Sequence, residues 1–353
     1  MATEVSTGDG PVAAAGADGP RRGLVLGGGG MLGAAWTVGA LCAIEEATGW
    51  RPGGADVILG TSAGAILGAL LAAGAEAGQL RDHQNGLPIT SGPLAGVDFD
   101  YATAAGGALP PRPAAGIGSP GLLRDAVRHP RDYPFLTMVS AMVPPGRGSV
   151  AAVGDLVRAL SEGDGWAEDS PLRVVAVDYR SGRRVAFGDA GAPPAEMADA
   201  VMASCAIPGW FAPVEVAGAP YVDGGCWSAT NADLMAGRGL DEIYVLAPMA
   251  LRLHPPGSTE PARGAAAALQ EWRRRDRPRG MLAQLVSRYR RTVTRQMMRE
   301  ARALRSAGTR VQLFAPTPAD LAVMGPNMMD PSRRPEVLAS ALRTSRAALA
   351  ALR

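Results

Sequence analysis

The chain has 353 residues, 47% of them hydrophobic and only 5% aromatic, with a formal net charge of +2. This length gives one large or two ordinary domains around a core of small and branched aliphatic side chains, and so small a net charge selects no partner by itself. Every basic residue is arginine, and three widely spaced cysteines, Cys42, Cys205 and Cys226, exclude a disulfide framework and fit reduced thiols in a cytoplasmic protein.

Residues 1–20 are rich in Gly, Ala, Pro and Asp and lack the basic and apolar regions of a secretory signal. They read as a disordered tail ahead of a single domain over 21–353. Residues 23–26 read as a buried strand, Gly27 to Gly30 as a turn, and 33–47 as a helix with Trp36, Ala40, Ile44 and Ala47 at helical spacing. Val57-Ile58-Leu59 is a second strand. It runs into Gly60-Thr61-Ser62-Ala63-Gly64 and out into a small-residue helix that ends near residue 77. The stretches 24–44 and 57–75 each lack a charge over about the length of a membrane span. Their internal glycines fit strand–turn–helix units better than membrane helices, because a helix-interior glycine costs about 1 kcal/mol against alanine. Two such units in succession predict a mainly parallel sheet flanked by helices.

Residues 86–120 are Pro-, Gly- and Ala-rich, with short helical pieces following at 122–128 and 135–142. The whole segment 84–145 reads as an insertion, either a lid or a surface excursion. Helices are expected at 151–161 and 195–203, a strand and its hairpin partner at 172–178 and 184–187, and a buried strand at 243–247. An amphipathic helix over 280–308 puts Leu282, Leu285, Tyr289, Val293, Met297, Ala301 and Leu304 on one face. Between residues 271 and 310 stand thirteen arginines against Glu271, Asp276 and Glu300, an excess of ten that leaves the rest of the chain at about −8. A strand at 311–314 and a helix at 335–353 close the chain.

The pattern G-x-S-x-G between a strand and a helix is the setting of a nucleophile elbow. Gly60 and Gly64 let the chains approach, and the Ser62 hydroxyl stands at a helix N-terminus where free N–H groups favour negative charge. The earlier turn has two readings. Gly28, Gly30 and Gly33 satisfy the dinucleotide fingerprint, but that fingerprint needs an acidic residue ending the second strand. Asp56 begins that strand instead, and Gly60-Thr61-Ser62 occupies its end. The second reading is an oxyanion hole, in which backbone N–H groups of Gly28, Gly29 and Gly30 face Ser62.

A nucleophilic serine needs a base. The chain order Ser62, Asp223, His254 permits an α/β-hydrolase triad. Against it, His254 lies in Leu253-His254-Pro255-Pro256, and only two strands precede Ser62. Asp223, set between the apolar Tyr221-Val222 and the turn Gly224-Gly225, is the better base.

Taken together, Gly28-Gly29-Gly30-x-x-Gly33, Gly60-Thr61-Ser62-Ala63-Gly64 and Asp223-Gly224-Gly225, with Phe211-x-Pro213-Val214 and Tyr221-Val222 between them, resemble the patatin-like phospholipases. The resemblance covers residues 22 to about 250. It implies a three-layer α/β/α sandwich with a mainly parallel sheet, and hydrolysis of acyl esters, usually of lipids, through a Ser–Asp dyad without histidine or any cofactor or metal. Carried over, Ser62 is the nucleophile, Asp223 the base and Gly28, Gly29 and Gly30 the oxyanion hole, supported by Gly33, Gly60, Gly64, Gly224 and Gly225. Two positions depart from the pattern. Leu32 stands where the family often has a basic residue that helps organise the oxyanion loop, and Asn231-Ala232 stands where Asn-Pro is common. A non-catalytic lipid-binding protein with the same fold is the alternative that Leu32 supports. The arginine-rich helix reads first as a helix packed by its apolar face with its arginines in water, and alternatively as a peripheral membrane contact through Arg288, Arg291, Arg295 and Arg302; no aromatic platform accompanies it, so no nucleic-acid partner is expected.

Overall fold

The structure, a computed structural model, describes residues 19–97, 99–100, 112–160, 166, 169–252 and 281–351. The N-terminal tail reading and His254 fall outside these residues.

The first two units form as strand, glycine turn and helix: β1 (Arg22–Leu26) into α1 (Gly30–Thr48), and β2 (Val57–Thr61) into α2 (Ala63–Ala72). The two long uncharged stretches are therefore buried strand–helix units, and among the described residues no helix is long and apolar enough to cross a membrane. Next come α3 (Ala77–Gln84), α4 (Pro120–Arg128), α5 (Phe135–Met142) and α6 (Ala151–Leu160). The second half contains β3 (Leu172–Asp178), β4 (Arg184–Phe187), α7 (Met197–Cys205), β5 (Val214–Val216), β6 (Ala219–Asp223) and β7 (Glu242–Leu246). It continues with α8 (Met281–Ser306), β8 (Arg310–Phe314), α9 (Pro318–Met324) and α10 (Arg334–Ala350).

The strands make one sheet in the order β5-β6-β3-β2-β1-β7-β8, with β4 paired to β3. The run β3-β2-β1-β7-β8 is parallel; β4 and the β5–β6 hairpin are antiparallel. Strand side chains alternate between faces, and here both faces are covered. Leu24, Leu26, Ile58 and Val174 pack with Trp36 and Leu41 of α1, Leu67 of α2 and Leu338 of α10. Val25, Leu59, Val175 and Val245 pack on the other side with Val293, Met297 and Leu304 of α8. That is the three-layer α/β/α sandwich, and it explains why the parallel strands read as continuous apolar runs. Small residues let neighbouring helices of one layer pack closely: a Cβ at Gly39 of α1 would come within 2.5 Å of the Leu338 carbonyl of α10.

Sequence periodicity passes over three elements. Helices α3 and α9 are under nine residues and are held by capping boxes, Glu76 with Gln79 and Thr317 with Asp320. The β5–β6 hairpin is only three residues on one side, and its turn, Ala217-Gly218, has positive φ at both positions (48° and 76°).

Candidate active site

The sheet register builds the site. Thr61, the last residue of β2, pairs with Val175 of β3. The next residue of β3, Ala176, pairs with Asp223, the last residue of β6. Strand β4 occupies the opposite edge of β3 over the same residues. Strands β2 and β6 thus meet head-on along one edge of β3, and both C-terminal ends are delivered to one point.

At that point Ser62 turns the chain. It is one of three non-glycine residues with positive φ among the described residues, at φ 54° and ψ −125°. This is a strained conformation for an L-residue, of a kind that concentrates at functional sites. The surroundings hold it there. A Cβ at Gly64 would run into the Leu26 carbonyl of β1, and one at Gly60 would sit 2.5 Å from the Ala65 Cα. Helix α2 can start where it does only because both positions lack a side chain. The Ser62 N–H donates to the Ser204 hydroxyl (2.8 Å), which itself donates to the Val175 carbonyl (2.6 Å). One buried hydroxyl of α7 therefore stands in for the ladder rung lost where β2 ends.

Asp223 and Ser62 are both buried, 6% and 7% exposed. Burial pushes the Asp223 carboxyl up to about 6, while the Ser62 hydroxyl and the Gly225 N–H act in the opposite direction. The Gly225 N–H donates to Asp223 Oδ1 at 2.7 Å. Gly224 has no room for a Cβ, which would strike the Val175 carbonyl. The Cys205 thiol also neighbours Ser62 and Asp223; burial raises its pKa well above the usual thiol value, so it stays neutral.

The glycine turn runs beside Ser62. A Cβ at Gly28 would lie 3.2 Å from the Ser62 Cβ. Its N–H, however, already donates to the Ala229 carbonyl (2.8 Å), as the Gly27 N–H does to Leu246 (2.9 Å). Further on, the Leu32 N–H donates to Met328 and the Gly33 N–H to Gly29. Of the three glycines singled out by sequence, Gly29 and Gly30 keep N–H groups without a partner among the described residues, while that of Gly28 is committed. Gly30 itself has φ 60°.

A narrow apolar cavity opens at Ser62. Met31, Ile66, Leu67, Leu70, Val153, Leu156, Ile207 and Phe211 line it, with Phe99 from the stretch between α3 and α4. A roomier cleft of about 620 Å³, between His83, Leu87 and Arg334, shares Phe99 but not Ser62. His83 is therefore on the far side of that wall, and His129 is exposed.

Several residues support the site through long-range contacts. Asn231, fully buried at φ 50°, donates to the Ser228 carbonyl (2.6 Å) and to the Thr61 hydroxyl (3.1 Å), tying the loop after Asp223 to the end of β2. Glu300 of α8 accepts from the Ser228 and Thr230 hydroxyls and from the Ala232 N–H (3.0 Å). Burial raises its pKa while those hydroxyls favour its charged form. Ser204 and Glu300 are long-range partners that carry no sequence motif, and Asn231 stands out in the sequence only as the Asn of Asn231-Ala232.

Fold and site place the chain among the α/β/α proteins built around a strand–serine–helix turn. The family model described as patatin-like phospholipase matches residues 24–90 and 98–236, more than half of the chain. The chain belongs to the patatin-like phospholipase family, a family of lipid acyl hydrolases. It is also similar to VipD from Legionella pneumophila, known from a crystal structure, at 16% identity and a TM-score of 0.42, over 94% of this chain and 67% of that one. No curated protein matches it.

Proposed function

We propose that the protein hydrolyses carboxylic esters of lipids through a Ser62–Asp223 dyad and a covalent acyl-enzyme. The observation that carries this reading is the register of β3, which delivers a strained serine and a buried aspartate to one point beside an apolar cavity. Asp223 takes the Ser62 proton as Oγ attacks the ester carbonyl. The oxyanion is met by the N–H groups of Gly29 and Gly30, and Gly28 contributes space beside Ser62 rather than a donor. Asp223 passes that proton to the alcohol as it leaves, then takes one from the water that attacks the acyl-enzyme and returns it to Ser62 Oγ as the acid is released. Aspartate is a weak base at its ordinary pKa of ~3.9; a value near 6 brings it closer to working pH. The apolar wall of Met31, Ile66, Leu70 and Phe211 suits the acyl chain, and among the described residues no charged side chain lines that cavity.

The test is hydrolysis of a phospholipid and of a short soluble ester by wild type, Ser62→Ala, Asp223→Asn and His254→Ala. The dyad requires the first two substitutions to remove activity by a factor of at least about 10³ and the third to leave it intact. Loss of activity in His254→Ala would replace the dyad by a triad. Wild type that binds vesicles yet cleaves neither substrate would favour the lipid-binding alternative.

A contact with anionic lipid through Arg288, Arg291, Arg295 and Arg302 is part of the proposal. Arg288, Arg295 and Arg302 are exposed and Arg291 is half-buried. The opposite face of α8 is spent on the core through Val293, Met297 and Leu304, so the contact is electrostatic and not an insertion.

A further inference from the structure

Helix α8 carries one arginine that does not face water. Arg290 is 3% exposed. Its guanidinium donates to the Pro248 carbonyl (2.9 Å) and makes sulfur contacts with Met328 (3.2 Å) and Met324 (3.9 Å). Among the described residues no carboxylate is paired with it. Burial lowers its pKa to about 10, which leaves it charged at neutral pH. A buried cation with no carboxylate paired to it among the described residues is costly, so its position calls for a reason.

Its two principal partners are the two walls of the glycine turn. The Pro248 ring lies against Gly29 and Gly33; a Cβ at Gly29 would come within 2.7 Å of it, and one at Gly33 within 3.3 Å. On the other wall, the Met328 carbonyl accepts the Leu32 N–H (2.9 Å) and stands 3.2 Å from where a Gly30 Cβ would be. The adjoining Met329 sulfur lies 2.9 Å from the same point and reaches the Ser62 cavity. The turn between these walls has no side chains of its own until Met31, and Leu32 is wholly buried and apolar. The Gly27 and Gly28 N–H groups and the Gly29 carbonyl are tied down by hydrogen bonds, but among the described residues the Gly29 and Gly30 N–H groups are not. Their direction depends on the spacing of the two walls, and the Arg290 fork spans that spacing.

We infer that Arg290 is a positioning residue for the oxyanion hole: it clasps Pro248 to Met328 and so aims the Gly29 and Gly30 N–H groups at the point where negative charge develops. This rests on the catalytic reading of Ser62. Preorganised donors act in the transition state, so their misalignment lowers kcat and leaves KM alone. A rigid planar fork can span two acceptors where a lysine ammonium reaches one.

The experiment measures kcat and KM on a short soluble ester, and the affinity of an alkylboronic acid whose tetrahedral adduct on Ser62 places an oxygen in the hole. It uses wild type, Arg290→Met and Arg290→Lys in the full chain, with thermal unfolding alongside. The inference predicts that Arg290→Met loses about tenfold to a hundredfold in kcat with KM within threefold, and that boronate affinity falls in step. Arg290→Lys should fall between it and wild type. A folded Arg290→Met with kcat within threefold of wild type would overturn the clasp, as would a loss expressed wholly in KM. If Arg290→Met does not fold, Arg290→Lys decides: a several-fold loss of kcat at unchanged KM supports the clasp, and wild-type kcat overturns it. Wild type that neither turns over ester nor binds boronate would instead overturn the catalytic reading on which the clasp depends.

Discussion

At Asp223, burial lifts the carboxyl from its usual 3.8 to about 6. Catalysis by this group as a base requires the ionised form, so kcat/KM should rise with pH through a midpoint near 6. A midpoint near 4, measured on a soluble ester, would show that the buried carboxylate is not the titrating base. The same shift acts on stability with the opposite sign. Between pH 3.8 and 6 the unfolded chain binds fewer protons than the folded one, so this group's contribution falls as pH rises through that window and stays low above it. The difference corresponds to roughly 3 kcal/mol. Asp223→Asn, which keeps an acceptor for the Gly225 N–H, should therefore abolish activity yet unfold at a higher temperature than wild type at pH 8, and gain less at pH 4. An equal or lower Tm at pH 8 would contradict the burial argument. The candidate site stands out in the sequence because Ser62 and Asp223 make a steric demand on their neighbours: Gly60, Gly64 and Gly224 each sit where a Cβ meets backbone. Which N–H groups of the first turn are free was not legible, because the Gly28 N–H is taken by Ala229, two hundred residues away.

Among the elements, α7 and α8 do work that their sequences do not announce. Ser204 of α7 bridges the Ser62 N–H and the Val175 carbonyl. Ser204→Ala would leave two buried backbone groups unpaired, at about 1–3 kcal/mol each, and would loosen the elbow. Both stability and kcat should fall, and unchanged values in denaturant unfolding and ester turnover would show that the bridge is dispensable. Helix α8 reads in sequence as an amphipathic helix with its arginines in water, and that holds for Arg288, Arg295 and Arg302. Its buried face also carries Glu300, which secures the loop after Asp223, and Arg290 beside the glycine turn. Periodicity reports only that such positions face inward; what they meet is set by the tertiary partner. The short capped helices α3 and α9 escaped for a related reason, since a helix of seven or eight residues has too few turns to establish a period.

Across the whole molecule, the layer order and the parallel run of the sheet were legible from the two strand–turn–helix units, because right-handed crossovers leave few other arrangements. The head-on meeting of β2 and β6 was not, since it depends on a one-residue step in the register of β3. The surface arginines of α8 predict that sedimentation with anionic vesicles falls sharply between 0.05 and about 0.5 M salt, as the screening length shortens to a few ångströms; salt-independent binding would point to insertion by another surface. The central claim is that Ser62 forms a covalent acyl intermediate with Asp223 as its base. Its most direct measurement is intact-protein and peptide mass spectrometry after reaction with a fluorophosphonate probe and, separately, after rapid acid quench during ester turnover. The account predicts a single adduct on the peptide containing Ser62, absent in Ser62→Ala and strongly slowed in Asp223→Asn. An adduct on any other residue, or undiminished labelling of Ser62→Ala, would contradict it.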